Sequence, residues 1–363
     1  VGGIDLTVAD QNSGVVVLQE SGSDTTVLEG LFNNEDEYTI RLAVAPLAGT
    51  TVFVSVSASR STRDDVLQGG DSMLIRHVGD SSVDATDFTR DVVVDGVVTK
   101  VPNREVVLVF TSANWDQDQT IKVKAVDDTL GEGERVYTVN HSVSVNAGAG
   151  SDRDLFDQAA VRNINVTVVD NDLPGLVLVE SDGNTRVLEG SLTLDKGYTK
   201  GLDDSVQLQL AKAPTGTVTV TIGVDSAQLA LLNPSADSRL DTVAGTVSFD
   251  ASNWNQAVEI GVKAVDDDLR EDPKGSVMTF GTDDSAVGRD TSFDDLQRLL
   301  EVDLYDNDTA GVIFEQSGGK TLVSSDGASV TDSYTVRLTS NPGSDVTIDV
   351  VTDGQTSTCL LYT

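Results

Sequence analysis

Two stretches 139 residues apart share one plan, and that repetition constrains the fold more than any other feature of the chain. The first, at 121–137, reads Ile-Lys-Val-Lys-Ala-Val-Asp-Asp-Thr-Leu-Gly-Glu-Gly-Glu-Arg-Val-Tyr, and the second starts at Ile260. Each is an alternating strand, an acidic turn and the start of another strand. The turn has the form Asp-Asp-x-x-x-Glu, carried by Asp127, Asp128 and Glu132 in the first copy and by Asp266, Asp267 and Glu271 in the second.

Carboxylates so close together repel, by roughly 4 kcal/mol for unit charges ~4 Å apart at an effective dielectric near 20. In the first copy no Lys or Arg lies between the acids. A hard divalent cation with carboxylate and carbonyl oxygen ligands is the natural counter-charge, and calcium fits better than magnesium, which prefers to keep its waters.

The same repetition organises the rest of the chain. Asp-Asn-Asp closes a strand at 170–172 and again at 306–308, and 4–12 resembles both endings, so the chain reads as opening on the last strand of an upstream repeat. The expected division is 1–13 as that strand, 14–172 and 173–308 as full repeats, and 309–363 as the start of another. From Ser21 to Ser181 is 160 residues against 139 between the acidic turns, so the first repeat carries 160 − 139 = 21 extra residues, expected within 59–103. That region holds Val-Val-Val-Asp-Gly-Val-Val-Thr at 92–99, an Asp-Gly hairpin signal.

Apolar residues alternate with polar ones at Tyr38, Ile40, Leu42; at Val52, Val54, Val56; at Ile121, Val123, Ala125; and at Ile164, Val166, Val168. The second repeat answers with Val206, Leu208, Leu210, with Val218, Val220, Ile222 and with Val258, Ile260, Val262. Period two over many short segments broken by Gly, Asn and Asp predicts an all-β chain of stacked antiparallel sheets. One helical turn or two is expected at 292–300, where Phe293, Leu296 and Leu300 follow a serine. The last segment repeats only the early strands, with Tyr334, Val336, Leu338 and then Val346, Ile348, Val350.

Composition narrows the partners. A formal charge of −35, from 59 acids and 24 bases, excludes nucleic acid and anionic membranes, which need a basic face. The one cysteine, Cys359, rules out disulfides and zinc-type sites. No apolar run is long enough to span a bilayer, and the first residues lack the pattern of a signal peptide.

Four motifs in fixed order, twice, carry a family resemblance: Val-Leu-Glu-Gly at 27–30 and 187–190, Phe-x-x-x-Asn-Trp at 110–115 and 249–254, the acidic turn, and the closing Asp-Asn-Asp. Each full repeat resembles a Calx-beta domain, the module of sodium/calcium exchangers, integrin beta-4 and many bacterial and algal surface proteins. The resemblance implies tandem immunoglobulin-like Greek-key β-sandwiches with calcium held by loops at one end. Carried over by residue, it implies ligands from Glu29, Asp127, Asp128, Glu132, Asp170 and Asp172 with the Leu130 carbonyl. In the second repeat the set is Glu189, Asp266, Asp267, Glu271, Asp306 and Asp308 with the Leu269 carbonyl. The upstream remnant has Asp10-Gln11-Asn12 instead of Asp-Asn-Asp, and the third repeat has Ser325 where Glu29 and Glu189 fall.

Other motifs carry less. His77 and His141 are the only histidines, which leaves Ser-His-Asp chemistry little to work with. Gly318-Gly319-Lys320-Thr321 ends like a phosphate loop, but the upstream glycine would fall at Phe314, within a strand. Trp115 and Trp254 hold identical repeat positions, which favours packing over sugar stacking. The expected protein is therefore not an enzyme but a calcium-rigidified stalk segment of an extracellular or cell-surface protein. Its expected partners are calcium ions, neighbouring repeats and another surface protein or glycan. The alternatives are a cytosolic calcium-sensing module of a transporter and a non-catalytic part of a secreted enzyme.

Overall fold

The computed structural model describes the chain outside 1–3, 5, 10–15, 31–34, 61–71, 147–150, 158, 191–200, 271–273, 284, 286, 318–320, 325–330, 355 and 360–363. The described residues are almost all strand and turn, with one α-helix, Ser151–Phe156. They form two compact units, one built on Ile4–Asp170 with Lys320–Ser333 and Asp349–Thr363, the other on Asn171–Gly319 with Tyr334–Ile348.

The first unit contains a sandwich of two sheets. One sheet has four strands in the order Val16–Glu20, Glu35–Leu42, Gln119–Ala125, Met73–His77. The other has five, Thr25–Leu28, Ile164–Val169, Arg135–Asn146, Thr51–Ala58, Glu105–Phe110. Inward residues of both sheets share one core, in which Tyr38, Ile40, Val54, Phe110, Val123 and Val166 are buried. The second unit repeats this plan. Leu176–Glu180, Asp204–Leu210, Val258–Ala264 and Leu229–Leu232 make one sheet. Thr185–Leu188, Gln297–Tyr305, Lys274–Thr282, Val218–Gly223, Thr246–Phe249 and Leu240–Asp241 make the other. Every apolar position of the alternating pattern named above for the two full repeats is buried. These are β-sandwiches of two sheets, as the period of two predicts, and of the immunoglobulin-like kind that the motif resemblance implies.

The opening strand of each sandwich is split between the sheets. In the first, the chain crosses at the 3-10 turn Ser21–Ser23, where Gly22 takes a φ of 63° that a side chain would disfavour. A carboxylate from the next strand pins the crossing: Asp36 accepts from Ser21 Oγ and from the Thr26 N–H, both at 2.7 Å. Asp204 does the same in the second sandwich, accepting from Ser181 Oγ at 2.7 Å and the Arg186 N–H at 2.8 Å. After the crossing, Thr25–Leu28 runs parallel to the closing strand Ile164–Val169, and Thr185–Leu188 runs parallel to Gln297–Tyr305.

The Phe-x-x-x-Asn-Trp motif is a turn device. Asn114 Oδ1 accepts from the Thr111 N–H at 2.7 Å and its Nδ2 donates to the Val109 carbonyl at 3.0 Å. Asn253 Oδ1 accepts from the Asp250 N–H at 2.9 Å. Trp115 and Trp254 pack half-buried against their cores, and their carbonyls accept from the Leu42 and Leu210 N–H groups at 2.8 and 3.0 Å.

Two expectations need correction. The predicted helical turns at 292–300 shrink to a 3-10 turn, Thr291–Phe293, capped by Asp290. Leu300 instead lies in strand Gln297–Tyr305 and pairs with Met278, because the strand Lys274–Thr282 offers a full ladder to that segment. The strand expected through Val346, Ile348 and Val350 does not form; these residues are exposed and irregular. Period two alone does not make a strand where no neighbouring strand supplies hydrogen bonds. Within the 59–103 region, strand Met73–His77 belongs to the sandwich itself.

Beyond that strand the Asp-Gly signal is realised. Thr89–Val94 and Val97–Pro102 form an antiparallel hairpin, with Asp95 and Gly96 at φ 52° and 80°, the left-handed pair of a type I′ turn. Val93 and Val98 face each other at its middle and are 71% and 63% exposed. Its base is fixed by a small cluster of Leu74, Val83 and Phe88 against Val126, with Lys100 Nζ 3.4 Å from Asp84 and 3.7 Å from Asp87.

Candidate metal centres

Parallel pairing of the split strand with the closing strand sets the first two acids side by side. Glu29 follows Thr25–Leu28 and Asp170 follows Ile164–Val169, and the Glu29 N–H donates to the Val169 carbonyl at 3.0 Å. Both side chains are buried, 4% and 3% exposed. Carboxylates so placed are costly unless hydrogen-bonded or paired with a cation.

The acidic turn reaches the same end because it joins Gln119–Ala125 to Arg135–Asn146, the neighbour of the closing strand. Asp170 Oδ2 accepts from the Glu132 N–H and, at 2.7 Å, from the Gly133 N–H. Gly133 takes a φ of 73°. Asp128 is half-buried and offers a carboxylate oxygen within 4.8 Å of one on Glu29. Its Oδ1 also accepts from the Leu130 N–H at 2.6 Å, which fixes the turn. Asp127 is exposed at the rim. Asp172 lies just past the closing strand, in the first residues of the second unit, where its carbonyl accepts from Lys212 Nζ at 2.7 Å.

In the second sandwich Glu189, Asp306 and Asp308 each present a carboxylate oxygen, all within 4.8 Å of one another. Glu189 and Asp306 are both 2% exposed. The Glu189 N–H donates to the Tyr305 carbonyl at 3.0 Å, the twin of the Glu29 bond. Asp306 accepts from the Asp308 N–H at 2.5 Å and from Thr309 Oγ1 at 2.6 Å, so it is held by its own downstream segment. Asp267 Oδ1 accepts from the Leu269 N–H at 2.6 Å, and Asp266 accepts from Asn307 Nδ2 at 2.7 Å. Glu271 lies outside the described residues, as do Ser325 and the Asp10-Gln11-Asn12 segment.

The electrostatics favour a cation. Desolvation, followed by repulsion from Asp306, Asp268, Asp266 and Asp267, holds the Asp308 carboxyl above its ordinary value. Asp308 Oδ2 is shielded from solvent and accepts no hydrogen bond. Among the described residues the oxygens gathered at both ends are carboxylates, with neither His nor Cys beside them, a set that suits a hard cation such as calcium.

Reading by sequence missed the part played by two residues. Arg135 Nη1 lies 2.9 Å from Glu132 Oε1, a cation three residues beyond the acid it partners. Its position inside the next strand hides it from a search confined to the turn. Asn307, the middle residue of Asp-Asn-Asp, bridges back to the acidic turn.

No protein-family model matches the chain. No curated protein matches it either. Solved structures similar to it include the calcium binding domain CBD12 of CALX1.1, at 12% identity over 80% of this chain and 99% of that one, with a TM-score of 0.25. The apo form of the Calx CBD1 domain aligns at 13% identity over 43% of this chain and 98% of its own, with a TM-score of 0.23. The Actinomyces fimbrial adhesin FimA aligns at 10% identity over 80% and 98% of the two chains, also with a TM-score of 0.23. At such identities and scores the likeness says nothing of ligands or partners. Among the described residues, no helix is long and apolar enough to cross a membrane.

Proposed function

We propose that the chain is a calcium-binding segment of an extracellular or cell-surface protein, in which ions at one end of each sandwich stiffen the loops and the join to the next domain. The observation that carries this reading is the buried carboxylate at the end of each split strand, Glu29 and Glu189, gathered with Asp128 in one sandwich and with Asp306 and Asp308 in the other. Glu29, Asp128, Glu132, Asp170 and Asp172 would hold the first ion, and Glu189, Asp267, Asp306 and Asp308 the second. Asp127 and Asp266 stand at the rim, and the Leu130 and Leu269 carbonyls supply neutral oxygens.

Bound calcium supplies positive charge, and the acids that repel one another then share a partner. Extracellular calcium modules bind at about 10⁻⁴ to 10⁻³ M, the range expected of a site in this setting. The ligand segment Asp170-Asn171-Asp172 continues through Leu173-Pro174 to Gly175, so only two residues separate it from the next sandwich, and Pro174 fixes its own φ. Ordering the ligand segment therefore restrains the join, which is the property a spacer or adhesive stalk needs. The chain is proposed to act through this mechanical role and not as a catalyst.

Calorimetry on chelator-treated protein tests the binding. Calcium uptake at millimolar concentration, with magnesium a poor competitor, is expected; no uptake overturns the reading. Small-angle scattering tests the mechanics. Calcium should extend the wild-type chain and do little to the Asp127→Asn, Asp128→Asn variant, and an unchanged wild-type profile would reject the spacer role even if calcium binds.

A further inference from the structure

The four-stranded sheets of the two sandwiches match in register but differ on their outer faces. Tyr38 faces Ile121 in the first and Val206 faces Ile260 in the second, so Lys122 corresponds to Gly261 and Glu35 to Asp203. In the first sandwich Lys122 Nζ lies 2.8 Å from Glu35 Oε2, and Arg76 faces Lys122 from the neighbouring strand. In the second, Gly261 takes the place of the lysine and Leu232 that of the arginine. Asp203 keeps the acid of Glu35, and Glu259 adds another where the first sandwich has Thr120.

Where the lysine is missing there is a cavity of about 500 Å³, whose lining includes Asp203, Ser205, Leu232, Pro234, Glu259 and Gly261. Position 261 has no room for a side chain, since a Cβ there would stand 2.9 Å from both Leu232 Cβ and Pro234 Cγ. Asp204, also in the lining, is committed to the strand crossing through Ser181, Arg186 and the Ser205 N–H. Among the described residues, no hydrogen-bond donor or cation is paired with the side chain of Asp203 or Glu259.

We infer that this cavity binds a lysine side chain of a partner protein, with Asp203 and Glu259 receiving the ammonium and Leu232 and Pro234 flanking its alkyl stem. The first sandwich shows the chemistry in the same register, where a lysine ammonium meets the twin of Asp203. A lysine stem lies favourably along apolar surface while its head stays with polar groups, and a carboxylate strengthens the ammonium's hydrogen bonds. The charge of −35 draws cationic partners toward the chain. A bare calcium ion fits poorly, because it takes about six to eight oxygens and this cavity offers two uncommitted carboxylates between apolar walls. No residue of the cavity is a ligand of the proposed metal centres.

Nuclear magnetic resonance on the full chain, with calcium present, tests the inference. The probe is Nα-acetyl-lysine methylamide, its neutral control is the norleucine counterpart, and cadaverine stands for a free amine. The lysine probe should move the Gly261 and Ser205 amide signals along a saturating curve, and the norleucine control should not. In the Asp203→Asn, Glu259→Gln variant the affinity for the lysine probe should fall at least about tenfold, while amide signals of the core strands stay in place. Equal shifts from the lysine and norleucine probes would overturn the inference, as would unchanged affinity in the variant. Shifts that never saturate, or that gather at the acidic ends of the sandwiches, would overturn it too. Cadaverine binding more tightly than the lysine probe would make the occupant a small amine and reject the partner protein.

Discussion

Tyr38 Oη and His141 Nε2 lie 2.9 Å apart, a polar contact that ties strand Glu35–Leu42 of one sheet to strand Arg135–Asn146 of the other. The rings meet edge to face, with centroids 5.6 Å apart. Burial, with help from the nearby Arg162 guanidinium, pushes the imidazole down to about 4, and burial likewise raises the tyrosine hydroxyl. Arg162 is itself paired with Glu20 at 2.7 Å.

That depression fixes a pH dependence. The folded state holds His141 neutral while the unfolded chain protonates at the ordinary value, so protonation favours unfolding. The contribution is full above pH ~6.5 and is lost as pH falls toward 4, by up to about 3 kcal/mol. Thermal melts between pH 7 and 4.5 should show the first sandwich weakening, and His141→Gln should flatten that slope. An unchanged slope would assign the acid sensitivity elsewhere.

Calcium should stabilise by linkage. At ligand about 10- to 100-fold above Kd, each site adds about 1–3 kcal/mol, so chelation should lower both unfolding midpoints. Asp308→Asn should raise the midpoint of the chelated second sandwich, since it removes one repelling charge, while reducing the calcium-induced rise. Differential scanning calorimetry with and without chelator reads both effects.

Arg135→Gln isolates the cation that the fold supplies for itself. Removing the guanidinium 2.9 Å from the buried Glu132 carboxylate should destabilise the calcium-free first sandwich by about 3 kcal/mol. Calcium should recover part of that loss, so the gap between wild type and variant should narrow as calcium rises in urea titrations. A gap independent of calcium would separate Glu132 from the ion.

The hairpin arm should tolerate change at its middle and resist it at its turn. Val93→Thr and Val98→Thr replace exposed side chains and should shift stability by less than ~0.5 kcal/mol. Gly96→Val, at a φ of 80°, should cost about 1–2 kcal/mol of hairpin stability. Amide exchange across Thr89–Val94 and Val97–Pro102 resolves the two cases.

The sandwiches were legible because burial on one face imposes a period of two, and each residue from Tyr38 to Val262 that follows the period turns inward. The acidic ends were legible because like charges recur at fixed spacing. What escaped depends on partners distant in sequence. Whether Val346, Ile348 and Val350 become a strand is decided by a neighbour, and whether Leu300 joins a helix or a ladder is decided by Met278 across the sheet. Arg135 was hidden for a different reason: it is only three residues from Glu132, but it lies past the acidic turn, inside the next strand.

The parallel pairing of each opening strand with its closing strand also sets how the molecule bears load. Tension on a tandem array enters a sandwich through Val16–Glu20 and, once that half of the split strand has yielded, loads the start of Thr25–Leu28 against the end of Ile164–Val169, which are opposite ends of one ladder. Pulling therefore shears all of that ladder's hydrogen bonds at once and does not unzip them singly. Stretching single molecules along the chain axis should give tall, well-separated rupture peaks, with Val168→Pro lowering the peak of the first sandwich and leaving that of the second, closed by Gln297–Tyr305, unchanged.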